Sequence, residues 1–275
     1  MVALMSKQKL FILCLGHQRC GTTWFHKHLV QSDHFVSGPL KEYHVWDAID
    51  LELQCEHKIG TRPICESDYN YLRYQMQNKD GFYFDYFSSL LFEEKFITAD
   101  ITPSYSGLSI ERLRNIRKEF ASRDIKVKAM LMLRDPLDRI KSAVSFNLNR
   151  QNYNEGIPSS AVSFEEALKH YYQSEHCELR TDYQRSVENA RKALGSKNVY
   201  VAIYETMFKD KKIDEISNFC GVYPFKSQQR QKENATKREQ VKTTEVDTLI
   251  IERFQSTYEY CFKAFPETKE LWTKI

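Results

Sequence analysis

Short unbroken apolar runs that stop at glycine or proline, each followed by a stretch of helical periodicity, set the pattern of this chain. Lys9 to Leu15 is such a run, as expected of a strand buried on both faces, and it stops at Gly16. Thr22 to Val30 holds no breaker and predicts a helix after a glycine-bounded loop. Phe96 to Ala99 reads as a second strand, after which Ile110, Leu113, Ile116 and Phe120 recur on one helical face. Val127 to Leu133 predicts a third strand, ended by Arg134-Asp135-Pro136, with the proline suited to the first turn of a helix reaching Asn149. Ser163 and Glu166 have capping-box spacing and open a helix through Tyr172, and Asp182 to Leu194 predicts another. Val199 to Tyr204 is the fourth strand. Ile213, Ile216 and Phe219 then form a stripe closed by Gly221, and Val246 to Phe262 reads as a last helix.

Strands alternating with helices imply an α/β fold, a three-layer sandwich with a central parallel sheet flanked by helices. No repeat or low-complexity linker divides the chain, so residues 1–275 read as one domain, long enough to bury a sizeable core. Composition acts mainly by exclusion. With 41% hydrophobic and 28% charged residues the chain is not of the disordered class, and a net charge of +3 is too small to argue for nucleic acid, although it does not repel an anion. Met1 to Lys9 has no apolar signal region, and the run Leu10 to Leu15 is too short to span a membrane. The seven cysteines are scattered without a disulfide framework and read as reduced thiols of a cytoplasmic protein. Cys55, His57 and Cys65 lack the paired spacing of a zinc site, and no metal is assigned.

The candidate chemistry begins at Gly16-His17-Gln18-Arg19-Cys20-Gly21-Thr22-Thr23, which has the glycine spacing and strand-to-helix position of a phosphate loop whose backbone N–H groups cradle an anion. Thr22 stands where a nucleotide triphosphatase has lysine, and the cation is Arg19. A P-loop kinase is therefore a rival reading, with Asp100 as its magnesium-binding acid, though Thr98 interrupts the apolar run before it. A nucleotide-binding protein without catalysis is another.

Together with Arg134-Asp135-Pro136-Leu137-Asp138-Arg139-Ile140-Lys141-Ser142, the loop resembles the sulfotransferases that use 3′-phosphoadenosine 5′-phosphosulfate (PAPS). Lys41-Glu42-Tyr43-His44, Asp100-Ile101-Thr102-Pro103-Ser104-Tyr105, Tyr183 and Tyr204-Glu205 are similar to the bacterial and carbohydrate- or heparan-sulfate-directed branch. The resemblance implies the P-loop NTPase-like sulfotransferase fold, PAPS as donor, and a hydroxyl-bearing acceptor, a glycan or glycolipid. It assigns the donor to Gly16, Arg19, Cys20, Gly21, Thr22, Thr23, Trp24, Arg134, Ser142 and Tyr183, and to Lys237 and Arg238 in a C-terminal loop. Arg134 suits this role because a guanidinium offers forked donors to phosphate oxygens. The resemblance also makes Glu42 the general base, His44 the alternative base, and Lys41 and Arg19 the cations that steady developing charge. Ile101 stands where some glycan enzymes carry a lysine. Arg139 and Lys141 read as solvated, and His26 and His28 as ordinary helix residues. The aromatic residues between Tyr69 and Phe92 (Tyr71, Tyr74, Phe82, Tyr83, Phe84, Tyr86, Phe87) suit either a core or an acceptor platform.

Overall fold

The apolar runs pair with one another in parallel, and this decides the architecture. The computed structural model describes residues 7–60, 69–161, 163–222 and 244–272. Strands β1 (Lys9–Cys14), β2 (Ile97–Ile101), β3 (Ile125–Leu133) and β4 (Val199–Ile203) form one parallel sheet in the order β2-β1-β3-β4. Because side chains alternate along a strand, Phe11, Leu13 and Leu15 enter one apolar cluster with Val127, Ala129 and Leu131. Leu10, Ile12 and Cys14 enter another with Met130 and Met132. Both faces are covered, which is why these strands read as continuous apolar runs.

The helices, in chain order, are α1 (Thr22–Val30), α2 (Trp46–Asp50), α3 (Tyr69–Asn78), α4 (Phe82–Ser89), α5 (Ile110–Ala121), α6 (Pro136–Asn149), α7 (Phe164–Tyr171), α8 (Glu175–Thr181), α9 (Tyr183–Leu194), α10 (Asp210–Cys220), α11 (Glu245–Arg253), α12 (Gln255–Ala264) and α13 (Glu267–Trp272). Helices α4, α5, α9 and α12 cover the first face of the sheet, and α1 and α10 the second. For Phe82 to Phe87 the aromatic question resolves toward core, with Tyr71 and Tyr74 only partly buried: Phe11 stacks on Phe120 at 4.2 Å and meets Phe87 edge-on at 4.9 Å, and Tyr83 and Phe84 are buried beside them. His28 is likewise a buried helix residue, bonded to the Ser217 hydroxyl at 2.9 Å.

Two expectations change, and a helix forms where none was expected. The last helix breaks at Phe254 (φ −102°, ψ 20°), so that Val246, Ile250 and Phe254 pack into a cluster with α6 and α7 while Tyr258 and Cys261 turn into the main core. One amphipathic segment thereby serves two cores. Helix α8, which has no strong apolar stripe, forms where the Ser174 hydroxyl caps the Cys177 amide at 3.2 Å. Arg139 is not solvated and Lys141 is only partly so, because α6 is wrapped by neighbouring helices. Arg139 is fully buried and donates to the Thr181 hydroxyl at 2.7 Å, while Lys141 pairs with Asp247 at 2.7 Å.

Candidate active site

The central strands β1 and β3 end side by side, and the chain leaves them at the carboxyl edge of the sheet, where open α/β sheets bind ligands. Gly16 follows β1 at φ 93°, and a Cβ there would collide with the Pro103 carbonyl, so the position requires glycine. The loop is stitched to β3: His17 N–H donates to Met132 O at 2.9 Å, and Met132 N–H to Gly16 O at 2.7 Å. His17 itself is fully buried, meets Ser186 Oγ at 2.8 Å and Arg180 O at 3.0 Å, and is driven down to about 3 by burial, hence neutral. Gly21, at φ 97°, starts α1 without a side-chain cap, leaving first-turn N–H groups for a ligand.

Here the loop meets the second arginine motif. Arg19 Nε donates to Ser142 Oγ at 3.0 Å, and Arg134 Nη1 donates to Arg19 O at 3.2 Å while its guanidinium lies 4.6 Å from the Tyr204 ring. A hollow of about 60 Å³ lies between Arg19, Gly21, Thr22, Thr23, Trp24, Arg134 and Tyr204. Arg134 Nε is buried without a partner, and an unmatched cationic donor beside uncapped N–H groups suits an anion. Tyr183 is placed differently from the expectation: it is fully buried, and its hydroxyl donates to Arg134 O at 2.9 Å, bracing the arginine from behind. The Cys20 side chain is also buried, its thiol pushed up to about 12 by desolvation, so its backbone is what the loop can present. Lys237 and Arg238 lie outside the described residues.

Opposite the loop runs the segment 41–47. On one side its backbone is held by β2 and the turn beyond that strand: Ile101 N–H donates to Lys41 O at 3.1 Å, Thr102 Oγ1 accepts from Tyr43 N–H at 3.0 Å, and the Tyr105 hydroxyl accepts from Val45 N–H at 3.2 Å. On the other side α3 reaches across, with Arg73 donating to Glu42 O at 2.9 Å and Gln77 to His44 O at 2.7 Å. Asp100 is enclosed in the same wall and accepts from the hydroxyls of Thr102, Tyr83 and Tyr105 at 2.6, 2.9 and 2.9 Å. Burial nevertheless pushes it up to about 6.

The side chains of this segment form a chain of charges. Lys41 Nζ lies 2.7 Å from Glu42 Oε1 and donates to the hydroxyls of Thr22 and Thr23 at 3.3 and 3.4 Å. His44 Nε2 is 3.4 Å from Glu42 Oε2, and its Nδ1 is 2.7 Å from Asp47 Oδ2, which also accepts from Ser104. Burial alone would raise Glu42, but the His44 contact and the Lys41 charge outweigh it and hold the carboxyl at about 2. Burial likewise disfavours charge on His44, yet the hydrogen bonds to Asp47 and Glu42 lift it to about 9. At neutral pH the array is therefore two carboxylates around an imidazolium. Loop and array face one cleft of about 440 Å³, whose far wall carries Phe146, Arg150 and the ion pair Arg180–Glu155 at 2.6 Å.

The sulfotransferase domain family matches residues 9–251. The chain belongs to the sulfotransferase family. Its fold is similar to that of a sulfotransferase from Alicyclobacillus acidocaldarius, with TM-score 0.57 and 18% identity over 94% of this chain and 95% of that one. It is also similar to sulfotransferase STF9 from Mycobacterium avium, with TM-score 0.50 and 13% identity over 94% and 77% of the two chains. No curated protein matches by sequence. Among the described residues of this sulfotransferase, no helix is long and apolar enough to cross a membrane.

The sulfotransferase cleft thus unites Arg19, Thr22, Thr23, Lys41, Glu42 and His44, with Arg134 and Ser142 adjoining. Sequence reasoning missed Asp47, Arg73, Gln77, Arg150, Glu155 and Arg180, and considered His57 only beside Cys55 and Cys65. Asp47 carried a signal, standing one helical turn after His44 at the head of α2. The others come from segments that only the fold brings together.

Proposed function

We propose that this sulfotransferase uses PAPS as donor and sulfates a hydroxyl of a carbohydrate, a glycan or glycolipid, acting as a single cytoplasmic domain with Glu42 as general base. The observation that carries this reading is the convergence of the anion loop, the Arg134–Ser142 element and the Lys41–Glu42 pair on one region. The donor supplies a sulfuryl group already bonded to a phosphate leaving group. The N–H groups of the loop and of the first turn of α1 hold the phosphosulfate with Arg19, and Arg134 and Ser142 hold the remaining phosphate. Glu155, Arg180 and Gln54 offer the far wall hydrogen-bonding groups for a hydroxylated acceptor. Six described cysteines are free thiols, in keeping with a reducing compartment.

Electrostatics favour Glu42 over His44 as base. Both ring nitrogens of His44 face carboxylates, and its charge is stabilised, so it has no site for a further proton at neutral pH. A carboxylate held near 2 is a weak base, and Lys41 is the lever that changes this. An anion seated on Thr22 and Thr23 draws the Lys41 ammonium toward itself, and Glu42, relieved of a cation, becomes more basic as the donor binds. Glu42 then takes the acceptor proton while the new oxygen–sulfur bond forms and the bond to the leaving phosphate breaks. A kinase reading lacks the loop lysine, and its acid, Asp100, is enclosed by three hydroxyls.

The deciding experiment is a thermal melt with adenosine 3′,5′-bisphosphate against one with Mg-ATP. The bisphosphate should raise the melting temperature by mass action, and Arg134→Ala should remove the effect. Stabilisation by Mg-ATP alone would overturn the proposal in favour of a kinase, and bisphosphate binding with no transfer to any of a panel of acceptors would favour a nucleotide-binding protein.

A further inference from the structure

His44, Asp47 and His57 each present a ligand atom, and the three atoms lie within 4.8 Å of one another beside the cleft, whose lining includes His44 and His57. Two imidazoles and a carboxylate are the donor set of open zinc sites, in which a fourth position is left to water or substrate. A second observation points the same way. Asp47 is fully buried, its Oδ2 accepts from both His44 and Ser104, and its Oδ1 has no hydrogen-bond partner. A buried carboxylate oxygen without a donor is an uncommon feature that a bound cation satisfies.

We infer that His44, Asp47 and His57 form a zinc-binding site that shares the wall of the catalytic cleft and inhibits transfer when filled. The imidazoles of His44 and His57 are stacked, with centroids 3.7 Å apart and planes at 19°. Ring lone pairs lie in the ring plane, so a shared ion requires one imidazole to swing. His57 is the freer partner: its side chain is 33% exposed at the end of the kinked 3-10 segment Glu52–His57, whereas His44 is held through Asp47 and Glu42 and sheds one ring proton when it ligates zinc. The nitrogen ligands select zinc over magnesium or calcium, which prefer oxygen. The site escaped the sequence because its ligands are a His-x-x-Asp pair and a histidine on a separate turn, with no cysteine among them. The inhibitory consequence rests on the role proposed for Glu42. His44 Nε2 lies 3.4 Å from Glu42 Oε2, so an ion held by His44 sits beside that carboxylate and competes with the acceptor hydroxyl for it.

Calorimetric titration of the chelator-treated full chain with Zn²⁺ tests the site without reference to sulfuryl transfer. The expected result is one equivalent of bound zinc, with affinity at least about tenfold to a hundredfold weaker in His57→Ala and in Asp47→Asn, each checked for a cooperative melt. Mg²⁺ should give no binding. Binding that persists in His57→Ala but is lost in Cys55→Ser would place the ion on the exposed thiol and overturn the inference, as would a wild-type protein that binds no zinc. If zinc binds as expected but leaves transfer unaffected, the site stands and the inhibitory role falls.

Discussion

On the side of the cleft proposed to hold the donor, the groups offered to an anion are mainly backbone N–H groups, joined by Arg19 and Arg134 and fixed by Gly16, Gly21 and the ladder to β3. On the opposite side they are ionised side chains, Lys41, Glu42, His44 and Asp47, fixed largely by one another. Backbone dipoles do not titrate and change only if the chain path changes. A chain of charges holds its geometry only while each member keeps its protonation state. The two sides should therefore fail under different perturbations, one to steric strain and the other to isosteric or pH changes.

The largest effect is expected where the side-chain array meets chemistry. Glu42→Gln keeps the shape but removes the proton acceptor, and should slow transfer by about 10²- to 10⁴-fold. Stabilisation by adenosine 3′,5′-bisphosphate should be kept and rise slightly, because the loop is untouched and Lys41 is released from the carboxylate to meet the anion. Loss of bisphosphate binding in this variant would overturn the coupling through Lys41. Gly16→Ala is the converse test. The new methyl meets the Pro103 carbonyl at a positive φ, so the fold should lose about 3 kcal/mol or more in denaturant unfolding, with bisphosphate binding lost in parallel. An unchanged midpoint would mean that the loop yields easily, against the backbone-fixed description.

The same contrast explains what the sequence disclosed. The glycine loop is contiguous, and its strand-loop-helix context lies within Lys9 to Val30, so periodicity and glycine spacing sufficed to place it between β1 and α1. Lys41 and Glu42 were visible only through family resemblance, since an adjacent Lys-Glu pair is ordinary on a surface loop. Nothing local marks Glu155 and Arg180 as a buried pair, because each alone reads as a solvated charge. Arg139 failed for the same reason: an apolar stripe locates the inward face of a helix with one neighbour, and α6 has neighbours on several sides. Tyr183 was expected, through family resemblance, to touch the donor, and only the packing shows that its hydroxyl instead supports the carbonyl of Arg134.

Between the two sides stands Arg134, a side chain serving the backbone-built pocket. Removing it in Arg134→Ala should weaken bisphosphate binding by about 30- to 100-fold, the loss of charge-assisted hydrogen bonds to phosphate. Arg134→Lys should recover only part, because an ammonium cannot reproduce the fork that donates to Arg19 O and leaves Nε for the ligand. Equal binding by the lysine variant would reduce the role of Arg134 to bulk charge.

The smallest effect concerns pH, and its sign is set by the direction of each shift. His44 is raised from 6.5 to about 9 in the fold, so its stabilising contribution is complete below 6.5 and is lost as pH rises through 9. Glu42 is lowered from 4.5 to about 2, so its contribution is present above 4.5 and disappears as pH falls toward 2. From this array, stability should be flat between 4.5 and 6.5 and then decline by about 1 to 2 kcal/mol as pH climbs from 6.5 to 9, a decline that His44→Gln removes. Denaturant unfolding across that range measures it. Over the alkaline part of the same range the increment in melting temperature given by the bisphosphate should stay constant, because no group of the loop backbone titrates. A bisphosphate increment that fell in step with His44 deprotonation would tie the two sides together through Lys41 and Glu42, and the array would then have to be counted as part of the donor site.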